Sequence, residues 1–471
     1  MSFEPIAWTG SQTTTTRKLD AGTHVTTEKT AISPPTEPIP VLLQRPRWRD
    51  TFDSLRVYNY RLYVISQTIA NTSAWMQRIA IDWLVFELTK SITAVGLTVF
   101  LQFSPVLFFG VWGGVIADRL DKRKLMMATQ SAAFLLCGGL AALTLTGVVQ
   151  VSEVYLVAFL LGCAAVIEGP ARSAFVNEMV GHHRLRNAIS LNASIFHLGG
   201  LLGPAISGIL VAVVGAGWSI GVNSVAAAIV VLTLGRMRVA ELFPSPRVER
   251  SRGQIREGLH YAISKPTILW SVVILAFVST FGMTLPVLLV SFADTIFKTG
   301  AAGYGLYSSA AAVGALAGAL LSTRRMTVRL RSIMLFAGLF GLALIATGLV
   351  PLPGVFLVFL VCIGVTRLLF ATGAESIVQL STNRAIRGRV MSLYSMVLLG
   401  GQALGGPLIG WVAETWGVRE AMIVAGVVPA LAAGAVAVIL ARSSRLSLRI
   451  RLTQRVPRLA VVRMPKPLKG L

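Results

Sequence analysis

Twelve long apolar runs constrain this chain more than any other feature of its sequence. A membrane-spanning helix needs about 20 consecutive, mostly apolar residues, and the runs are long enough to supply them. Only 13% of the residues are charged, about half of the roughly 25% found in soluble domains. The sequence therefore predicts an all-α polytopic membrane protein with twelve transmembrane helices. Spans 1 to 6 are predicted near 60–88, 92–117, 124–147, 153–178, 187–213 and 217–235, and spans 7 to 12 near 267–292, 303–323, 331–350, 355–380, 388–413 and 419–441.

Lysine and arginine are concentrated in the loops on one side of these spans. The loops on the other side hold only three bases, which are Lys90, Lys298 and Arg419. Basic loops remain in the cytoplasm, so both termini and the linker between spans 6 and 7 are predicted to lie there, in a multi-pass cytoplasmic-membrane protein. The formal net charge of +23 is then explained by cytoplasmic bases that face the anionic cytoplasmic leaflet, and no nucleic-acid partner is expected.

The second group of six spans resembles the first group in sequence. Residues 199–204 in span 5 (GGLLGP) are echoed about 200 residues later by residues 400–407 in span 11 (GGQALGGP). Internal repeats are typical of transporters that bind substrate between two halves. The predicted domains are a disordered basic tail at 1–55, six-helix halves at 56–235 and 266–441, a linker at 236–265 and a basic tail at 442–471.

The loop between spans 2 and 3 carries a dense motif, GGVIADRLDKRK, at residues 113–124. It resembles the corresponding loop of the major facilitator superfamily, in which Gly, three residues and Asp-Arg precede a Gly and several bases. The resemblance implies a gate at the cytoplasmic end, where Asp118 meets the start of span 11 and Arg123 meets Glu178. The matching residues are Gly114, Asp118, Arg119, Lys122 and Arg123, and Asp121 stands where the family usually has Gly.

Further stretches narrow the resemblance to one branch of that superfamily. Residues 59–67 and 75–85 in span 1, 169–180 in span 4 and 387–392 in span 11 resemble the enterobactin-exporter-like branch, which includes macrolide and multidrug efflux proteins. One departure is Ser73-Ala74, where relatives often carry Gly-Asp; if that acid couples protons in relatives, another group must do so here.

A glycine-proline patch in span 5 is similar to a motif associated with antiporters in the family. Glycine and proline also permit close helix packing and a kink, which explains the same residues without any transport role. The patch comprises Gly199, Gly203, Pro204 and Gly208.

Several ionisable residues lie inside the predicted spans, where charge is costly and indicates function by default. Arg78 and Asp82 in span 1 are four residues apart on one helix face, so they either neutralise each other or serve transport. Glu168 and Arg172 in span 4 have the same spacing and the same two interpretations. His197 in span 5 is either a packed neutral side chain or a proton carrier.

Span 10 differs, because Arg367 and Glu375 have no opposite charge three or four residues away. They therefore need an aqueous cavity or partners on other helices, as a structural bridge or as a functional pair. In the superfamily, spans 1, 4, 7 and 10 line the cavity. The hypothesis is that Arg367 pairs with Glu168 in one conformation, with Arg172 competing, while Glu375 or Asp82 exchanges the proton.

These features favour a secondary transporter that exports an amphipathic drug or siderophore, driven by proton entry. An importer or facilitator of a metabolite, or a non-transporting scaffold or sensor, remains the alternative, although a scaffold gains nothing from buried charge. No nucleotide-binding loop or catalytic constellation occurs, so an enzyme is not expected. The three cysteines have no metal-ligand spacing. The expected partners are a small molecule, protons and the lipid bilayer, with no cofactor or metal, and the protein is expected to be a monomer.

Overall fold

Twelve helices of membrane-spanning length make up most of the described part of this computed structural model, which comprises residues 53–243, 254–323, 329–383, 386–443, 446–451 and 458–463. The predicted tail up to residue 52 lies outside the described residues. The helices confirm the predicted all-α twelve-helix fold. In the first half, spans 1 to 6 are Tyr58–Thr89, Ile92–Arg119, Lys122–Leu145, Val151–Gly181, Asn187–Val214 and Ala216–Gly235. In the second half, spans 7 to 12 are Pro266–Ile296, Gly300–Thr323, Leu330–Leu349, Pro353–Leu380, Arg387–Trp416 and Val418–Ser443.

Span 1 is the least apolar of the twelve helices. The other eleven are apolar enough to cross a membrane by length and composition alone, whereas span 1 carries Arg61, Arg78, Asp82 and Glu87. Arg61 and Glu87 lie near the two ends of the span and are exposed, whereas Arg78 is half-buried and Asp82 is buried within the protein. A span with this many polar residues is the expected place for a functional site.

Spans 4 and 5 lie in one helical run, Val151–Val214, which is broken at Gly181. The backbone of Gly181 has φ 67° and ψ 178°, a conformation open to glycine but strained for residues with a Cβ atom. The chain can therefore leave span 4 and enter span 5 without a long loop.

Span 7 is less regular than the other spans. Helices Pro266–Phe277 and Leu285–Ser291 are followed by single π-helical segments, Val278–Gly282 and Phe292–Ile296. Such π-segments occur frequently at functional sites in helices.

The two halves contact each other mainly through two pairs of helices, span 2 with span 11 and span 5 with span 8, and span 1 adds smaller contacts with spans 7 and 8. Glycines make this close approach possible. A Cβ atom on Gly96 in span 2 would lie 2.9 Å from the Pro407 nitrogen in span 11, and one on Gly208 in span 5 would lie 2.7 Å from the Gly305 Cα in span 8. The two contacts involve equivalent spans of the two repeats, which agrees with the predicted internal symmetry.

The linker contains a short helix, Gln254–Ser264, where the sequence predicts either a surface helix or a soluble turn. A Cβ atom on Gly258 would lie 3.2 Å from the Arg389 Cβ at the start of span 11, so the helix packs against that span. Leu259 and Ile263 remain exposed. Beyond span 12, Leu446–Arg451 pairs in antiparallel register with Arg458–Arg463.

Candidate functional site

We call the end of the bundle that carries Lys122, Arg184 and Arg389 the basic end, and the other end the opposite end. A polar clasp joins the halves at the opposite end. The Glu414 carboxylate, near the end of span 11, accepts hydrogen bonds from Ser91 Oγ at 2.5 Å, from the Thr93 N–H at 3.0 Å and from Thr93 Oγ1 at 2.6 Å. Sequence analysis missed Glu414, because an acid in the last turn of a span resembles an ordinary solvent-exposed residue.

A second polar contact between the halves lies deeper and involves Asp82. Tyr304 in span 8 donates its hydroxyl hydrogen to Asp82 Oδ2 at 2.8 Å. Asp82 is 3% exposed and Tyr304 is fully buried, so this contact is closed to water. An ionised acceptor makes such a bond shorter and stronger than a neutral pair.

Arg78 lies one turn before Asp82 but does not form an ion pair with it within 4.0 Å. Its guanidinium instead lies over the rings of Trp75, at 5.0 Å, and Phe103, at 5.4 Å. Cation–π contacts of this kind stabilise a cation that is removed from water. Arg78 and Asp82 therefore interact electrostatically without forming a contact ion pair in this conformation, and the hydrogen-bond partner of Asp82 comes from the second half.

Span 4 contains a different polar cluster, centred on Glu168. Arg172 forms an ion pair with the Glu168 carboxylate from the next turn, and Gln130 Nε2 in span 3 donates to Glu168 Oε1 at 2.8 Å. The predicted pair between Glu168 and Arg367 is absent from this conformation. Glu168 pairs with Arg172 instead, because the helix holds these two residues one turn apart and the two halves do not have to approach each other.

The remaining predicted coupling residues lie on spans 5 and 10. Arg367 has no carboxylate within 4.0 Å among the described residues, and it interacts electrostatically with His197 in span 5. Glu375 is exposed and accepts a hydrogen bond from Gln379 Nε2 at 3.0 Å. His197 and Arg367 therefore influence each other electrostatically across the halves, while Glu375 is bonded within its own helix.

The gate motif at the basic end has a different pairing from the predicted one. Lys122, rather than Arg123, binds Glu178, with 3.0 Å between Nζ and Oε1. The two side chains are only 12% and 10% exposed. Arg123 donates from Nε to the Leu234 carbonyl at 2.7 Å and from Nη2 to the Gly235 carbonyl at 3.1 Å, so it caps the C-terminus of span 6. Consecutive residues of a helix point about 100° apart, which is why Lys122 and Arg123 reach different spans.

The other residues of the motif lie where span 2 ends and span 3 begins. Gly114 is buried, Asp118 is half-buried and Arg119 is exposed. Asp121, which replaces the family's usual glycine, accepts a hydrogen bond from the Lys124 N–H at 2.9 Å and is the N-cap of span 3. The departure from the family pattern therefore has a structural role, since an aspartate N-cap stabilises a helix by about 1 kcal/mol.

The glycine-proline patch packs in two directions. Gly199 and Gly203 lie against Asn71 and Trp75 of span 1, whereas Gly208 and the Pro204 carbonyl lie against Gly305 of span 8. The packing interpretation is supported by these contacts. They also place the patch at one of the two junctions between the halves.

A small polar pocket lies within the first half, toward the basic end. Its walls come from spans 1, 4 and 5, and it is separate from the clasp at the opposite end. Sequence analysis missed it, although Tyr63, Gln67 and Asn71 recur at four-residue spacing along one face of span 1. The lining residues are Gln67, Asn71, Arg172, Asn192, Ile195 and Phe196.

The comparisons with known proteins agree on a membrane transporter. A family model described as "Transmembrane secretion effector" (MFS_3) matches residues 50–461. Among characterised relatives, the enterobactin exporter EntS of Escherichia coli (strain UTI89 / UPEC) is 26% identical over 356 residues, which cover 74% of this chain and 84% of EntS.

Two solved structures show the same fold. A bacterial homologue of the human lysosomal transporter Spinster, in an inward-facing and unoccupied conformation, has a TM-score of 0.66 at 14% identity, covering 82% of this chain and 97% of its own. The nucleoside transporter NupG has a TM-score of 0.66 at 13% identity, covering 81% of this chain and 99% of its own. At these identities the likeness establishes the architecture alone.

Proposed function

Because the chain belongs to the transmembrane secretion effector family of the major facilitator superfamily, we propose that it exports an amphipathic small molecule in exchange for protons. The cargo class is a drug or a siderophore. The relative named an enterobactin exporter, which matches 74% of this chain, supports export of a siderophore-like molecule. The protein works as a monomer in the cytoplasmic membrane.

The basic end faces the cytoplasm, in keeping with the bases in its loops. The linker and both tails lie on that side. The clasp formed by Glu414 and the contact between Asp82 and Tyr304 then close the external end. This conformation is accordingly the inward-facing one, from which an exporter takes up its cargo.

The observation that carries the proposal is the hydrogen bond between Tyr304 and Asp82 across the halves. Alternating access parts the halves at this layer and exposes Asp82 to water, so its surroundings differ between the two conformations. A proton shifts a conformational equilibrium only by its differential affinity for the two states. A buried acid at the parting layer meets that requirement, and Asp82 is therefore the proton-coupling group.

Glu375 is less suited to this role than Asp82. It is exposed in the present conformation and is bonded within its own helix, so opening the external end changes its surroundings little. Glu168 is also less suited to this role, because Arg172 and Gln130 of its own half both hold its carboxylate. His197, beside Arg367, is the second candidate.

The test uses purified protein in vesicles with an imposed pH gradient, and enterobactin and ethidium as cargo probes. Asp82→Asn should abolish gradient-driven export of the probe that the native protein moves. Glu87→Gln is the matched control, because Glu87 is an exposed acid on the same span. Uphill export by Asp82→Asn at the native rate would refute the coupling role of Asp82. Absence of gradient dependence in the native protein, with downhill flux intact, would refute proton exchange altogether.

A further inference from the structure

The small polar pocket in the first half contains hydrogen-bond donors that the protein does not use. Gln67 is 3% exposed, and its Nε2 has no hydrogen-bond partner. The Nε of Arg172 is also buried without a partner, although another nitrogen of the same guanidinium binds Glu168. Both residues line the pocket. Buried polar groups are nearly always paired, so two such donors in one pocket call for an explanation.

A third unused group lies one turn before Gln67. Tyr63 is 1% exposed, and its hydroxyl has no partner. It is not one of the residues that line the pocket, but it interacts electrostatically with Arg172 and Glu168 and lies one helical turn from Gln67. Its neighbour Tyr60 differs, because the Tyr60 hydroxyl donates to the Ala188 carbonyl at 2.9 Å. Two stacked tyrosines on one face of span 1 therefore differ in a single respect, namely whether the hydroxyl is used.

We propose that this pocket binds an anionic oxygen group of the exported molecule, such as a carboxylate or a phenolate, through Arg172, Gln67 and Tyr63. The inference rests on the proposed function, since it assigns part of the cargo to this pocket.

The chemistry follows from the kind of groups that are unpaired. A guanidinium N–H and an amide NH₂ can only donate, and a phenol donates readily, so the complementary group is an acceptor. The Arg172 guanidinium offers five N–H donors in a fixed fork, so it can hold Glu168 on one edge and a second oxygen on the other. Bonds from a guanidinium to a charged oxygen are about twice as strong as neutral ones, which favours an anionic group over a carbonyl.

The wall opposite Arg172 suits the apolar body of such a molecule. Ile195 and Phe196 line that part of the pocket, and Trp75 packs edge-on to Phe196 with 5.7 Å between ring centroids. The cavity volume of about 30 Å³ admits the oxygens of a carboxylate but not a ring, so an aromatic acid would place its carboxylate at Arg172 and its ring at the mouth, against the half-exposed Phe196. Trp75 then reports occupancy, because its fluorescence responds to changes at the neighbouring ring.

The binding test compares benzoate with benzamide, which share a ring but differ in charge. Purified protein in detergent is titrated with each compound, and Trp75 fluorescence and the melting temperature are recorded. Trp75→Phe identifies the signal. We expect benzoate to bind at least tenfold more tightly than benzamide. Equal affinity, or no binding of benzoate, would overturn the assignment.

Tyr63→Phe and Gln67→Met provide the sharper test. Each removes a group that has no partner among the described residues, so the melting temperature of the ligand-free protein should not fall, while benzoate affinity should drop roughly 10- to 150-fold, the loss expected for one hydrogen bond to a charged group. Tyr60→Phe is the matched control, because it removes a used hydroxyl; it should lower the melting temperature and leave benzoate affinity unchanged. A fall in ligand-free stability for Tyr63→Phe and Gln67→Met would show that ordered water pairs these groups, and would overturn the proposal.

Two further comparisons distinguish a cargo anion from a lipid headgroup, and the pocket proposal from the proposed function. Phosphatidylglycerol presents the same oxygens, so the titration is repeated in micelles that contain it. Unchanged benzoate affinity is expected, and full competition would reassign the pocket to a lipid headgroup. Benzoate binding without gradient-driven export of any probe would leave the pocket in place and reject the proposed function. Export at the native rate by Tyr63→Phe and Gln67→Met would keep the function and reject the pocket.

Discussion

Removing the hydrogen bond between Tyr304 and Asp82 should shift the equilibrium between the two conformations of the transporter by an amount that can be estimated. Tyr304→Phe removes only the hydroxyl that reaches Asp82 at 2.8 Å. A hydrogen bond to a charged group contributes about 1.5–3 kcal/mol, and this bond exists only while the halves are closed at the opposite end. Since about 1.4 kcal/mol corresponds to a tenfold change, Tyr304→Phe should move the ratio of the two conformations roughly 10- to 150-fold toward opening at that end.

The assay measures the distance between spin labels at the basic end of spans 2 and 11. Leu120 and Gly388 are exposed there and belong to different halves, so cysteines at these positions, in a background without the native ones, report closure of the basic end. The population of short distances should increase in Tyr304→Phe. Asp82→Asn should produce a smaller increase, because it keeps a neutral hydrogen bond, for which the net contribution is about 0.5–1.5 kcal/mol.

Tyr307→Phe is the control for this prediction. Tyr307 is equally buried and lies one turn further along span 8, but its hydroxyl contacts Thr299 within the second half, at 3.2 Å. Its removal should leave the distance distribution unchanged. An unchanged distribution in Tyr304→Phe, or an equal shift in Tyr307→Phe, would refute the assignment of this bond as a latch.

Three other substitutions test separate parts of the structure. Lys122→Met removes the cation that binds the buried Glu178 at 3.0 Å and should cost up to about 3 kcal/mol of stability, seen as a lower melting temperature in detergent. The Lys122→Met/Glu178→Gln double variant should recover most of the loss, and failure to recover would contradict the pairing. Gly208→Ala places a Cβ atom 2.7 Å from the Gly305 Cα and should destabilise the closed end by about 1–3 kcal/mol. Gly139→Ala is the control, because there is open space around its Cβ position. Equal melting temperatures for the two variants would count against the close contact. Glu414→Gln keeps the shape of the clasp but removes the charge that accepts three hydrogen bonds. Labelling from outside of a cysteine introduced at Thr89 should therefore become faster. An unchanged labelling rate would show that the clasp does not control opening of this end.

Hydropathy predicted the spans because the bilayer imposes one length and one polarity on every helix that crosses it. Span 1 was predicted as well, although its charges place it outside the apolar helices. The residues that flank span 1 and the length of its apolar stretches were sufficient to predict that it crosses the membrane. The pairing in the gate motif could not be predicted from hydropathy. Lys122 and Arg123 are adjacent bases, and only the orientation of span 3 about its own axis determines that Lys122 reaches Glu178.

The partners of the buried charges were not predictable for a related reason. Spacing along a helix identified the Glu168–Arg172 pair correctly, but it suggested the same for Arg78 and Asp82, which do not form an ion pair. Tyr304 is 222 residues from Asp82 in sequence, and a tyrosine in an apolar run resembles ordinary core. Contacts of that separation depend on the packing of two halves, which no local pattern encodes.

The distribution of polar contacts explains why the bond between Asp82 and Tyr304 is the natural point of control. Within the first half, span 1 is held firmly: Ser73 donates to Asn223 at 2.9 Å, and the Met76 carbonyl accepts from Ser207 at 2.8 Å. These bonds tie span 1 to spans 5 and 6, so it moves with its own half. Transport by rocking of rigid halves then requires that the few bonds between the halves break together. Asp82 is a buried acid at that boundary, one to two turns beyond the anchored segment, so under the proposed coupling a proton bound there would weaken the hydrogen bond that joins the halves.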